Sequence, residues 1–187
     1  MNQTIVYFDR AGQENTDQTL LVAGKRAQEL GIKTVLIAST RGDSAVRAAE
    51  LLPGLRLIAV SHAAYFHPPG IQSFTDANRK LFESKGGKVL TMTHLFAGLS
   101  RAMRNQFKSY ELGDIIASTL RLFGDGMKVV CEISVMAADA GLARIDEDII
   151  AIGGTGKGAD TAVVLTPVPS ASFFALKVKE ILCKPRF

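Results

Sequence analysis

At 187 residues, with 47% hydrophobic and 21% charged residues, the chain has the make-up of one globular domain and can bury roughly 70% of its unfolded surface. Its 22 basic and 18 acidic residues leave a net charge of +4 and a pI of about 9.2. The cations are scattered among carboxylates, which suits an anionic small ligand and, with no zinc-finger or RNA-binding signature, argues against nucleic acid. No apolar run approaches the ~20 residues of a membrane span and no leader pattern opens the chain, so no membrane partner is expected and the cytoplasm is the expected compartment.

In chain order, Thr4 to Phe8 predicts a first strand. Asn15 with Gln18 three positions later predicts a capping box for a helix reaching Leu30, with Leu20, Ala23, Ala27 and Leu30 as its apolar stripe and Gly31 closing it. A strand over 34–38, a helix over 44–52 stopped by Pro53-Gly54 and a strand from Arg56 to Val60 complete a β-α-β unit. Ser61 to Ser73 is a loop with unusual aromatic content, carrying His62, Tyr65, Phe66, His67, Pro68, Pro69 and Gly70. Such a loop can wall a ring or simply pack on the surface.

A helix from Thr75 to Ser84 ends at Gly86-Gly87, and Lys88 to Thr91 supplies a strand. His94 to Phe107 predicts a helix with Leu95, Leu99 and Met103 on one face and a solvated basic side of Arg101, Arg104 and Lys108. Glu111 to Phe123 predicts the next, with Ile115, Ile116, Leu120 and Phe123 inward and Gly124 at its end. Met127 to Ile133 predicts a strand holding Cys131 as a buried thiol, Ser134 to Ala140 a short helix, and the segments around residues 148–153 and 161–165 a hairpin that leads into a helix through Phe173 to Leu182. The alternation specifies a single α/β domain over 1–187, a three-layer, doubly wound, mostly parallel sheet covered on both faces, with a C-terminal antiparallel hairpin.

Two segments carry chemistry. The strand Thr34 to Ala38 runs into Ser39, Thr40, Arg41, Gly42, Asp43 and Ser44 and then opens a helix, so hydroxyls, a guanidinium and helix-start amides converge where an anion would sit. The dipole itself contributes only about 0.3–1 kcal/mol at an exposed site, so affinity must come from the donors, with Gly42 freeing amides for close approach. Thr40 or Asp43 acting as a plain helix cap is the competing explanation. Later, Gly153, Gly154, Thr155, Gly156, Lys157, Gly158, Ala159, Asp160 and Thr161 form a glycine-rich turn between two apolar strands. Its spacing fits neither a dinucleotide fingerprint nor a Walker A loop, because a strand follows it and Lys157 is followed by Gly158. A flexible hairpin tip is the plainer alternative. In an α/β sheet both segments fall at carboxyl strand ends, together with Ser61-His62 and Thr91 to His94, so they are expected to converge.

The pair of loops resembles the C-terminal α/β domain of pyruvate kinase, where a strand-loop-helix phosphate site and a glycine-rich effector loop enclose a sugar phosphate. The chain is more closely similar to small stand-alone proteins named for that domain, through Ile5 to Phe8, Glu14 to Thr16, Glu29 to Lys33, Gly42 to Ala45, Met136 to Asp139 and Gly158 to Val164. The resemblance implies a pyruvate kinase C-terminal-like fold, flavin mononucleotide (FMN) as cofactor and no pyruvate kinase activity, since the catalytic barrel has no room here. It places the phosphate on Thr40 to Ser44, the segment Gly153 to Thr161 over the ribityl chain or ring, Asn15 and Thr16 at the same mouth, and Met136 on the ring. Asn15 and Thr16 as caps and Met136 as core remain open.

No hydrolase elbow, zinc-protease or kinase signature is present, and His62, His67 and His94 lack metal-ligand spacing, so no metal is expected. Cys131 and Cys183 are too few and too far apart to suggest a disulfide framework. Glu132, Asp139, Asp160 and His94 are the candidate proton donors or acceptors. Two function classes follow: an FMN-dependent oxidoreductase, because flavin carries its own redox chemistry, or a regulatory domain sensing a sugar phosphate or nucleotide. The expected partners are a phosphorylated small molecule and further copies of the chain in a homo-oligomer.

Overall fold

The structure, a computed structural model, describes residues 4–66 and 72–186. His67, Pro68, Pro69 and Gly70 of the aromatic loop lie outside them. Seven strands form one sheet in the order β1 (Val6–Phe8), β7 (Lys177–Pro185), β6 (Thr161–Thr166), β5 (Ile149–Gly153), β2 (Thr34–Ala38), β3 (Arg56–Ser61), β4 (Lys88–Thr91). Strands β2 to β5 are mutually parallel, β6 runs against β5 and β7, and β1 lies parallel to β7. Among the described residues, β6 is thus the one strand that opposes the rest, as the hairpin pattern of the sequence predicts.

Alternation along the strands sends side chains to two cores. On one face, Val35, Ile37, Ala59, Ile150 and Ile152 pack against α1 (Thr16–Leu30), α2 (Asp43–Leu51) and α3 (Asp76–Ser84). On the other, Leu36, Ile58, Ala151 and Val163 pack against α6 (Asp125–Asp139). The doubly wound, three-layer α/β fold expected from the sequence is the one observed. α1 ends as its glycine predicts: Gly31 sits at φ 68° and donates its amide toward Ala27 and Gln28. Thr75 caps α3 by accepting from the Asn78 amide.

Several local expectations are corrected. Met127 to Ile133 is not a strand: it merges with Ser134 to Asp139 into α6, which is buried nearly all round because the sheet and α5 (Leu112–Arg121) both cover it. A helix with no solvated face shows no 3.6-residue stripe, and its Val-Val-Cys-Glu-Ile run then imitates a buried strand. Cys131 is buried, but on this helix, and burial pushes its thiol up to about 11. Phe173 to Leu182 is not a helix either: a 3-10 segment over Ser170–Ala175 leads into β7, where pairing with β6 and β1 overrides the helix-favouring Lys, Glu and Leu.

The capping box at Asn15 is absent. A 3-10 turn over Gln13–Asn15 precedes α1, and the Asn15 amide donates back to the carbonyls of Arg10 and Gly12. Leu30 is exposed. α4 (Gly98–Phe107) starts later than expected, and its Leu99 and Met103 face solvent, Leu99 at 85% exposure, as do Ile115 in α5 and Phe123 just after it. The basic side of α4 is not merely solvated: Arg104 pairs with Asp114, and Arg101 lies 4.0 Å from the Phe66 ring centre.

Candidate functional site

The chain runs from β2 outward through β3 to β4 and then returns to β5 on the opposite side of β2. The order reverses there, so the segments leaving β2 and β5 diverge and open a crevice at the carboxyl ends of the strands. A cleft of about 980 Å³ occupies that position. Ser39, Thr40, Arg41, Asp43 and Ser44 line it from β2, and Gly154, Gly156, Lys157 and Gly158 from β5. The two loops singled out in the sequence therefore border one cavity.

The β2 loop is built to leave donors uncommitted. The Ser39 hydroxyl accepts the Ala45 amide, so a residue three positions before the helix N-cap does the capping, and neither Thr40 nor Asp43 does. The amides of Asp43 and Ser44, the first two of α2, have no protein acceptor among the described residues. They carry the positive end of the helix. Thr40 Oγ1 lies 3.2 Å from His62 Nε2. From outside, Thr75 N and Asn78 Nδ2 donate to the Arg41 carbonyl, and Asn78 also donates to Asp43 Oδ1. Gly42 does not line the cleft. It sits at φ 100°, and a β-carbon on it would come within 2.5 Å of Asn78 Cβ and 2.7 Å of the Phe74 ring. Its role is to let the loop turn against α3 rather than to admit a ligand.

The glycine-rich loop is fixed instead of flexible. The fully buried Asp160 accepts from the Gly12 amide, the Thr155 amide and the Thr161 hydroxyl. Thr16 Oγ1 accepts the Ala159 amide while donating to the Gln13 carbonyl, and Thr19 donates to the Ala159 carbonyl. Gly158, at φ 73°, presses on the entry to α1, where a β-carbon would meet Gln13 Cα at 2.5 Å. Gly153, Thr155, Asp160 and Thr161 stand behind the cleft surface and do not line it. Thr16 does line it, whereas Asn15 turns away. Met136 is buried in the α6 core, away from the cleft, which corrects its expected place on a ring.

Of the four candidate proton groups, His94 and Glu132 line the cleft and Asp139 and Asp160 do not; Asp139 instead accepts the Ser170 amide. Burial holds the His94 pKa below its ordinary 6.5, opposed by the nearby Glu132 charge and reinforced by Lys128 and Arg101. His62 and His94 meet edge to face at 4.8 Å between ring centres. Gln13, Glu14, Asp17, Arg47 and Lys128 also line the cleft and escape the sequence reading. Arg47 is spent on Asp17 and Glu50 at 2.6 and 2.9 Å. Arg41 is 70% exposed and only 3.9 Å from an equally exposed Asp43, and Lys157 has no ion pair among the described residues, so both cations are available at the mouth. Lys128 and Glu132 follow the i,i+4 helical spacing, a signal hidden once their segment reads as a strand.

The family model described as pyruvate kinase, alpha/beta domain, matches residues 17–165. Two crystal structures of pyruvate kinase from Cryptosporidium parvum are similar at low identity. One shares 14% identity over 82% of this chain and 23% of its own, with a TM-score of 0.43. The other shares 12% over 82% of this chain and 22% of its own, with a TM-score of 0.40. The chain spans less than a quarter of the length of either enzyme.

Proposed function

The chain belongs to the pyruvate kinase alpha/beta domain family, and on that premise we propose that its cleft binds a phosphorylated small molecule, FMN foremost. One observation carries the reading: the two leading amides of α2 are unspent and open, with the Thr40 and Ser44 hydroxyls, onto a cleft whose mouth holds Arg41 and Lys157. Amides at a helix start are suited to a phosphate's oxygens, and the flanking cations to its charge. A volume near 980 Å³ lies at the upper end of ordinary small-molecule sites and leaves room beyond a phosphate.

The residues present fit FMN. Asp43, Ser44 and Thr40 would hold its phosphate, the loop at Gly154 to Gly158 would flank the chain that joins phosphate to ring, and Val129, Ile133 and His94 would exclude water from the ring. When bound, flavin supplies hydride and single-electron chemistry. His94, kept neutral by burial near neutral pH, can accept a proton inside the cleft.

A sugar phosphate acting as an effector is the second reading. It is favoured by Glu14 and Asp17, whose carboxylates line the cleft and can accept hydrogen bonds from sugar hydroxyls. The two are separated by titrating purified protein with FMN and then competing with fructose bisphosphate. Micromolar FMN affinity that resists the sugar phosphate is the expected result. Displacement by a low micromolar sugar phosphate, with FMN binding only in the millimolar range, would remove the flavin assignment and leave the phosphate site.

A further inference from the structure

An ammonium ion taken out of water needs its hydrogens spent on acceptors. Lys128 lies on the floor of the cleft with its side chain 10% exposed, and Glu132 beside it at 4%. Among the described residues Lys128 donates one hydrogen bond, to Glu132 Oε2, and its Nζ stands 5.5 Å from the Phe96 ring centre. Two of its three hydrogens are therefore left without an acceptor among the described residues. The other carboxylate oxygen accepts the Phe96 amide at 3.1 Å, which holds Glu132 in place beside the ammonium. Two imidazoles lead from the loop after β2 toward this pair: Thr40 Oγ1 lies 3.2 Å from His62, His62 packs on His94, and the charges of Glu132 and Lys128 act on His94.

We propose that Lys128 is a second ligand-binding residue, whose remaining N–H groups donate to ring carbonyl oxygens of a phosphorylated, ring-bearing ligand such as the dicarbonyl edge of flavin. This rests on the reading of the cleft as a phosphate site and extends it to the far end of the ligand. Glu132 acts as the positioning residue: it holds the ammonium in place and, through the Phe96 amide, is itself held. The class of ligand follows from the chemistry. A phosphate ester with a purely hydroxylated tail could use the Glu14 and Asp17 side of the cleft but gives Lys128 only weak acceptors, whereas carbonyls conjugated to a ring present strong ones.

Removing one partner of a buried ion pair strands the other, so the test uses Lys128→Met together with Glu132→Gln, which removes both charges and keeps an acceptor for the Phe96 amide. Calorimetric titrations of wild type and variant with FMN and with inorganic phosphate, alongside circular dichroism for folding, are the readouts. The expected result is an FMN Kd at least tenfold higher in the variant with the phosphate Kd within twofold of wild type. An unchanged FMN Kd in a folded variant overturns the inference. Phosphate binding without FMN binding in the wild type overturns it too, while sparing the phosphate site; absence of both overturns the underlying reading as well. Should the variant not fold, unaltered protein is titrated with FMN analogues whose ring carbonyls are replaced singly by thiocarbonyls, which are poorer acceptors. At least one is expected to bind five times more weakly, and equal affinities for all would overturn the inference.

Discussion

The loop after β2 and the loop after β5 face each other across one cleft, yet they spend their polar groups in opposite ways. Around Asp160 nearly everything is committed inward: one carboxylate satisfies two amides and a hydroxyl, and Thr16 and Thr19 tie down Ala159. Around Ser44 the leading helix amides stay open, and the loop is braced from outside by Thr75 and Asn78. A glycine-rich composition can thus mark a tightly packed wall, while a plainer hydroxyl-rich loop presents the donors. What distinguishes receptor from scaffold is whether donors already have partners.

The sharpest way to break this contrast is Asp160→Ala. It strands buried donors at roughly 1–3 kcal/mol each, so a loss on the order of 3–5 kcal/mol and a Tm lower by about 10 °C are expected in thermal unfolding. Next comes Gly42→Val, which brings a β-carbon onto Phe74 and Asn78 at a left-handed φ. A loss of about 2–4 kcal/mol is expected from the overpacking and strain, so its first consequence is reduced stability, whatever happens to affinity. Thr40→Val combined with Ser44→Ala should do the reverse: phosphate affinity falls about tenfold, the worth of one to two hydrogen bonds, while Tm moves by no more than ~2 °C. If the two pairs of effects were exchanged, the division into scaffold and receptor would be wrong.

The smallest effect concerns the strip between the loops. Because burial holds His94 below its ordinary 6.5, the unfolded chain binds its proton first as pH falls. Stability linked to His94 is therefore complete above 6.5 and is lost as pH drops toward the lowered native value. Denaturant titrations across that interval should show a slope that His94→Gln reduces; an unaltered slope would exclude His94 as its source.

Both loops are legible in the sequence because each is a local event, a short apolar strand meeting a turn and then a helix start or a second strand. The alternation behind them marks a largely parallel sheet covered on both faces, while the order of its strands emerges only in the assembled fold. α6 is hidden because a helix covered on all sides loses the periodicity by which helices are recognised, and the Lys128–Glu132 pair vanishes with it. β7 is hidden because its residues favour a helix until β1 and β6 supply edges to pair with. At Asn15 a preceding 3-10 turn redirects the side chain to Arg10 and Gly12, so a capping pattern survives in sequence but not in geometry. The remaining cleft residues come from the 3-10 turn before α1 (Gln13 and Glu14) and from three helices (Asp17, Arg47 and Lys128), and only the assembled sheet brings them together.

Backbone-amide NMR during titration with inorganic phosphate tests the proposed role of the loop after β2 most directly. The account predicts saturable shifts largest at Asp43 and Ser44, smaller ones at Gly156 to Gly158 across the cleft, and little change at Asp160 behind it. No response from residues 39–44, or a stronger one elsewhere in the molecule, would contradict it.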